Sequence, residues 1–539
     1  SLLAFIGCAL LLPRLLLFGR FALSLVTSPW QFDYDEGINL NVSLLLAAGK
    51  NIYPHNGPDA FLSAPYSPLF HLLVAPFTWV TGPSFAAGRA LSLACTICIA
   101  ILLAYVVWRA TKVWALGVVS GALWLSLSPV IVWSSFYKQD MLALFLGLAG
   151  LSWALTFTQG RRLYVAALLF ALAFYAKQTG LSAATATALW LLLRAPKSGI
   201  RFSAALCLML VLPFALGNIL LRGGPWEHMI GNNILPWNGW RFWWSLHRLW
   251  GEYWPLVLWS GTSTVVGALL VLSSLLRDRT GGARTSCMKM RERLMHPYTL
   301  VVICFLLGWA STLVQIGYEG ANFNHLLDAL LPTCMLSALS IVWPLRRLNS
   351  LFKVENDVPS SILGMIGLAA IALLVALSLG QIYSFRDPGT WFYNAWPNHK
   401  SDTQMRAFSD LLARTPGEIY SEDAYLLLST GHRVLYDDPS TFESLAQLGR
   451  WDDARFVQSF RSRRFALVLL SPRSVRWTNG ARAAFNANYV LQSSGILEVY
   501  GPRRSNDRRC ARAAHGGPWK SRLAACALLP EFQFEPTCP

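Results

Sequence analysis

Twelve apolar runs divide the first 383 residues of this chain, at about 2–26, 67–81, 88–108, 113–133, 141–157, 163–176, 180–193, 202–221, 254–276, 297–315, 326–345 and 360–383. Crossing the hydrocarbon of a bilayer takes about 20 apolar residues. Most of these runs approach that length, while 67–81, 163–176 and 180–193 fall short. A water-soluble core cannot absorb so many long apolar stretches. The balance of 54% hydrophobic to 14% charged residues agrees, since a soluble domain carries about a quarter charged. The pattern predicts a mainly α, polytopic membrane helical bundle.

Basic residues order the loops. Arg277, Arg279, Arg284, Lys289, Arg291 and Arg293 make 277–293 cytoplasmic by the excess of positive charge. Arg346, Arg347 and Lys353 do the same for 346–353, as do Arg194, Lys197 and Arg201, then Arg161 and Arg162, then Arg109 and Lys112. One crossing per run keeps all of these on one side, with a single break at 67–81. That run carries Pro68 and Pro76 just after Pro65, and is expected to be re-entrant or interfacial. About eleven spans remain, with the N-terminus inside and the C-terminus outside. Residues 2–26, interrupted by Pro13, Arg14 and Arg20, are too long for a cleaved secretory signal and read as a retained first span. The net charge of +17 is therefore largely orientation signal, and no nucleic-acid partner is expected. Of the ten cysteines, seven lie in the membrane half and form no framework. Cys95 and Cys98 lack a second ligand pair for a metal, and Cys510, Cys526 and Cys538 leave room for one disulfide.

With that topology one face collects the unusual polar residues: Asp33, Asp35, Glu36, Tyr53, Lys138, Asp140, Lys177, Gln178, His228, Glu319, Asn322, Asn324 and His325. Three carboxylates within Asp33-Tyr34-Asp35-Glu36, where the first span ends, exceed what one helix cap needs. Carboxylates at a membrane edge are costly and tend to be placed for chemistry. A base needs such a group near its target in a partly dry site. The run 163–193 is too long for one helix, and a break at Lys177-Gln178-Thr179-Gly180 puts a lysine at a hairpin tip on that face. An ammonium there suits a phosphate. Four hydrogen-bonding side chains in Glu319–His325 suit a sugar or a phosphate. His71 and His247, among apolar and aromatic neighbours, read as structural. Residues 222–253, rich in tryptophan, read as an aromatic belt or as a wall beside an acyl chain or sugar ring.

From 384 the composition becomes soluble. Glu418–Tyr420, Val434–Tyr436, Phe465–Leu470 and Ile496–Tyr500 read as strands, and Thr441–Leu448 and Asp452–Arg461 as helices. The expected domains are 1–383 in the membrane, 384–501 as a small extracytoplasmic α/β domain, and 502–539 as a disordered basic tail.

Four segments in the first 195 residues resemble the C-type superfamily of integral-membrane glycosyltransferases, closest to the bacterial branch related to protein O-mannosyltransferases and to lipopolysaccharide-core and lipid A transferases. They are Asp35-Glu36 followed by Gly49-Lys50-Asn51-Ile52-Tyr53; Pro65-Tyr66-Ser67-Pro68-Leu69; Gly88-Arg89-Ala90-Leu91-Ser92 with Ser128-Pro129 and Asp140; and Ala176-Lys177-Gln178-Thr179. The resemblance implies a sugar donor linked to polyprenyl phosphate, an acceptor hydroxyl on a glycan, lipid or protein, and inversion at the anomeric carbon. It implies Asp35 as catalytic base, Glu36 assisting or orienting it, and Lys138, Asp140 and Lys177 near the donor phosphate. Asp33, Tyr53, Tyr66, Gln178, Glu319, Asn322, Asn324 and His325 complete the expected substrate-binding set. No cofactor is established by these residues, no metal ligands are assigned, and a divalent metal is left open. Relatives often carry a lysine before the proline pair, where this chain has Ala64, so Lys177 is expected to compensate. The implied location is the cell (inner) membrane, among membrane lipid. Two other classes compete: a transporter or flippase of lipid-linked saccharide, which would show internal repeats, and a non-catalytic membrane scaffold.

Overall fold

The structure, a computed structural model, describes residues 2–247, 258, 261, 297–352, 399–472 and 476–503. The apolar run 360–383, nearly all of 254–276, the basic loop 277–293, the junction at 384 and the tail from 504 with its cysteines lie outside the described residues, as do Trp250, Tyr253 and Trp254.

Helices fill the first part of the chain: α1 Leu2–Thr27, α2 Tyr34–Ala47, α3 Leu69–Thr81, α4 Ala86–Thr111, α5 Trp114–Ser126, α6 Ser128–Trp133, α7 Asp140–Thr156, α8 Leu163–Ala176, α9 Ser182–Arg194, α10 Pro196–Leu220 and α11 Gly224–Met229, then α12 Pro297–Gln315 and α13 Leu327–Phe352. Among the described residues three helices are long and apolar enough to cross a membrane, Gly7–Thr27, Ala86–Thr111 and Pro196–Leu220, with shorter apolar helices beside them. Pro129 has no N–H to donate and separates α5 from α6. Arg14, buried in α1, satisfies that junction, donating to the Ser126 carbonyl at 3.1 Å and the Ser128 hydroxyl at 2.6 Å. α4 and α5 pack at close range because Gly117 and Gly121 face the carbonyls of Ala104 and Ala100, where a Cβ would stand at 2.4 and 2.6 Å.

α3 has 13 residues, about 20 Å of helix at ~1.5 Å per residue, against ~30 Å of hydrocarbon. It buries Phe70, His71, Val74 and Ala75 while Phe77, Trp79 and Val80 stand exposed. The expected break in 163–193 is present, with α8 ending at Ala176 and α9 beginning at Ser182.

The later residues form α14 His399–Arg414, β1 Glu418–Ser421, α15 Ala424–Ser429, α16 Pro439–Gln447, α17 Ala454–Arg461, β2 Phe465–Leu470, α18 Asn479–Asn488, β3 Tyr489–Ser494 and β4 Glu498–Pro502. The sheet has order β1-β2-β4-β3, parallel between β1 and β2 and antiparallel elsewhere. β2 shows the two-residue period of a strand covered on both faces. Val468 and Leu470 meet an aromatic cluster with Phe442, Trp451, Phe456, Phe460 and Trp477, while Leu467 and Leu469 meet Met405, Leu412 and Leu426. Residues 434–436 are not a strand of this sheet. They make one parallel bridge, Tyr436 with Phe61 from the loop before α3. Phe61 is thereby buried in the aromatic cluster.

Candidate active site

The acidic stretch after α1 folds into a capping box. Asp33 is the N-cap of α2, and its side chain accepts from the Asp35 amide at 3.2 Å. Glu36 at the third helical position reaches back to accept from the amides of Asp33 and Phe32, at 3.2 and 2.9 Å. Glu36 also accepts two guanidinium bonds from Arg89 of α4, at 2.9 and 2.7 Å, and one from the Tyr137 amide at 2.8 Å. Both side chains of this pair are 0% exposed. Arg89 spends its remaining donors on the carbonyls of Leu25, Ser28 and Trp30. Although burial alone would raise it, the Arg89 guanidinium holds the Glu36 carboxyl below its ordinary range. Glu36 thus ties the α1–α2 turn, α4 and the loop before α7 into one unit.

That unit aims the other two carboxylates. The Lys138 ammonium lies 2.5 Å from Asp33 and 3.0 Å from Asp35. Burial pushes Asp33 up to about 6, against the pull of Lys138 and with the push of Asp35. The paired carboxylates overcome burial to keep Lys138 protonated well above its ordinary range. Side-chain exposure separates the three acids: 5% for Asp33, 0% for Glu36 and 21% for Asp35. Asp35 is the most exposed of the three.

A second ion pair lies beside the first. Lys177, at the end of α8, is 2.5 Å from Asp140, the first residue of α7. The Asn324 amide N–H donates to the same Asp140 oxygen at 3.1 Å. Tyr66 joins the two pairs: the Lys177 ammonium stands 5.3 Å from its ring centroid, and burial with the nearby charges of Asp35 and Asp140 pushes its hydroxyl up. The pair borders a small cleft of about 50 Å³, whose polar end holds Asp140, Lys177, Asn324, His325 and Asp328 and whose wall holds Leu144, Leu148 and Leu331. Burial, with Lys177 nearby, lowers His325 to about 3, so its imidazole is neutral. Asp328 accepts from the Ser182 hydroxyl at 2.6 Å.

The remaining expected residues sit around this centre. The Tyr53 hydroxyl donates to the Tyr66 carbonyl at 2.9 Å, and the Gln178 amide donates to the carbonyls of Pro65 and Met229 at 2.5 and 3.0 Å. Both hold the 65–66 loop rather than opening into the cleft. Glu319 turns away and accepts from Ser444 at 3.0 Å, and Asn322 is exposed. His228 bonds the Pro54 carbonyl and the Ala64 amide, and His71 bonds Ser43, so both are structural. Arg89 was not assigned from sequence, although an arginine in an apolar run needs a partner. Asp437 and Asp438 were also missed. Asp437 accepts from the Ser63 amide at 2.6 Å and Asp438 from the Ser63 hydroxyl at 3.0 Å. Asp438 is close enough to Asp35 that the two charges act on each other. An acid just before Pro439 is a helix-start signal, but nothing local says where that helix end points.

No family model matches the sequence, and no curated protein matches it. Among solved structures, the fold is similar to ArnT from Cupriavidus metallidurans in the apo state, with TM-score 0.53 and 13% identity over 96% of this chain and 100% of that one. It is also similar to the same protein bound to undecaprenyl phosphate, with TM-score 0.51 and 13% identity over 94% of this chain and 99% of that one. At such identity the likeness is one of fold.

Proposed function

We propose that this chain, built on the fold of ArnT, transfers a sugar from a polyprenyl-phosphate donor to an acceptor hydroxyl at the extracytoplasmic face, with Asp35 as general base. The observation that carries the reading is the Asp33–Lys138–Asp35 triad beside a cleft that holds the Lys177–Asp140 pair. The ArnT structure bound to undecaprenyl phosphate supports a lipid phosphate as the donor's carrier.

The chemistry follows from charge. Two carboxylates share one ammonium in the triad, leaving one negative charge in excess if both are ionised, which favours taking up a proton. The acceptor hydroxyl gives its proton to Asp35, and its oxygen attacks the anomeric carbon. The bond from that carbon to the phosphate oxygen breaks on the far side, and the phosphate leaves with the electron pair, so the configuration inverts. Lys177 has one carboxylate partner and three N–H donors, so it can meet a phosphate oxygen while keeping Asp140. Preorganised positive charge at a leaving group is usually the largest catalytic contribution. Glu36 orients the base through Arg89 and the Tyr137 amide. The Lys138 ammonium occupies the place between Asp33 and Asp35 that a divalent ion would need, so transfer is expected to persist in a strong chelator.

Purified protein in lipid, assayed with a panel of polyprenyl-phosphate sugars, tests the reading. Asp35→Asn is expected to lower kcat by about 100-fold or more, the usual worth of a positioned base. Full transfer by the variant would remove Asp35 from the role. Inactivity of the native protein across the panel would overturn the reading in favour of a transporter or scaffold.

A further inference from the structure

The polar end of the cleft has a peculiarity that its charged pairs do not explain. Asn324 donates its amide N–H to the Asp140 carboxylate at 3.1 Å. Turning the amide over would set a carbonyl oxygen against that carboxylate, so its orientation is fixed by its partner. The Asn324 carbonyl oxygen is then left buried with no hydrogen-bond partner. Asn324 lines the cleft, with Lys177 and Asp140 beside it and His325 next in the chain. A buried polar atom without a partner is uncommon and costly, and asks for an explanation.

The unfilled group is an acceptor, which excludes some ligands. A phosphate presents only acceptor oxygens at neutral pH and cannot satisfy it. The apolar wall of Leu144, Leu148 and Leu331 can line a hydrocarbon chain but has nothing to offer a carbonyl. What fits is a hydroxyl donor carried on a ligand whose anionic part meets Lys177. A glycosyl phosphate has that form, with hydroxyls on the ring next to the phosphate.

Resting on the glycosyltransferase reading above, we propose that Asn324 accepts a hydrogen bond from a ring hydroxyl of the transferred sugar and so sets which sugar is used, with Asp140 as the positioning residue that aims it. Lys177 and Asn324 divide the donor between them, one meeting the phosphate and the other the sugar. A site built to bond a hydroxyl rejects the analogue that lacks it, because its own polar group is then left unpaired.

The test compares polyprenyl-phosphate hexoses with their monodeoxy analogues, and measures binding of sugar-free polyprenyl phosphate. The native protein is expected to favour the intact sugar over one deoxy analogue by about 10-fold or more in kcat/KM. In Asn324→Ala that ratio falls to near one, while sugar-free polyprenyl phosphate binds as before. Asn324→Leu, which keeps the volume and removes the acceptor, serves if the alanine variant does not fold. Discrimination that survives in the variant overturns the inference and leaves the transferase reading standing. So does an equal loss of affinity for sugar-free lipid phosphate, which would mark Asn324 as structural. A native protein that transfers none of the sugars removes the transferase reading, and this inference with it.

Discussion

Asp438 combines three local demands. It caps α16, accepting from the Thr441 amide at 3.3 Å, and its backbone sits in the left-handed region at φ 51. It also takes the Ser63 hydroxyl at 3.0 Å. Burial, with help from the Asp35 charge, lifts its carboxyl from 3.8 to about 6. A raised acid binds its proton more tightly when folded, so this group subtracts stability as pH rises through that window. The loss begins near the unfolded value, is complete above the folded one, and amounts to about 3 kcal/mol. Asn caps a helix about as well as Asp and tolerates the left-handed region. Asp438→Asn is therefore expected to flatten the fall of Tm between pH 4 and 7 in detergent, an equal slope in both proteins being the contrary result. Asp33 and Asp437, also raised by burial, contribute to the slope that remains. Sequence reasoning brought Asp33, Asp35, Lys138, Asp140, Lys177, Asn324 and His325 to one place, because polar groups at the ends of apolar runs have few sites to occupy. It did not see that Glu36 is saturated by Arg89, since a partner 53 positions away leaves no local trace.

The elements that came through best were those fixed by length and breakers. The α8–α9 break follows from a run too long to be one span, and the start of α2 from its capping acids. The edge strand β3 was missed because Gln492, Ser493 and Ser494 give it no apolar alternation and its burial is nearly all on one residue. Close packing between elements is equally invisible in sequence. At Gly88 an added Cβ would stand 2.3 Å from the Tyr137 ring, beside the loop that carries Lys138. Gly88→Ala is expected to lower stability by about 1–3 kcal/mol and to slow transfer, because that loop must shift. An unchanged Tm would count against this packing. For α3, too short to cross by itself, cysteines at Thr81 and Ser84 are expected to label from the extracytoplasmic side. Labelling only from the cytoplasm would sink the reading that α3 does not cross.

At the scale of the whole molecule, the loop before α3 is held from both sides by later segments of the chain. The loop from Asn51 to Ser67 is gripped on one side by Gln178, His228 and Asn233. On the other side Asp437, Asp438 and Trp451 hold it, the indole donating to the Gly57 carbonyl at 3.0 Å with Phe61 5.3 Å from its ring centroid. Trp451→Ala is expected to cost about 3–5 kcal/mol and to speed hydrogen exchange at the Phe61 and Asp437 amides together, since each bonds the other segment. Exchange that changes on one side only would mean the two segments are not one cooperative unit. This arrangement also sets a schedule. The Ser63 amide and the Asp437 carboxylate are 374 positions apart, so a ribosome adding about 5–20 residues per second needs roughly 20–75 seconds to deliver the second after the first. Through that interval Asp35 and Lys138 are present without the Asp437 and Asp438 carboxylates that hold the 51–67 loop. In a growing chain the 51–67 loop therefore gains its second set of partners only once residue 437 has been made.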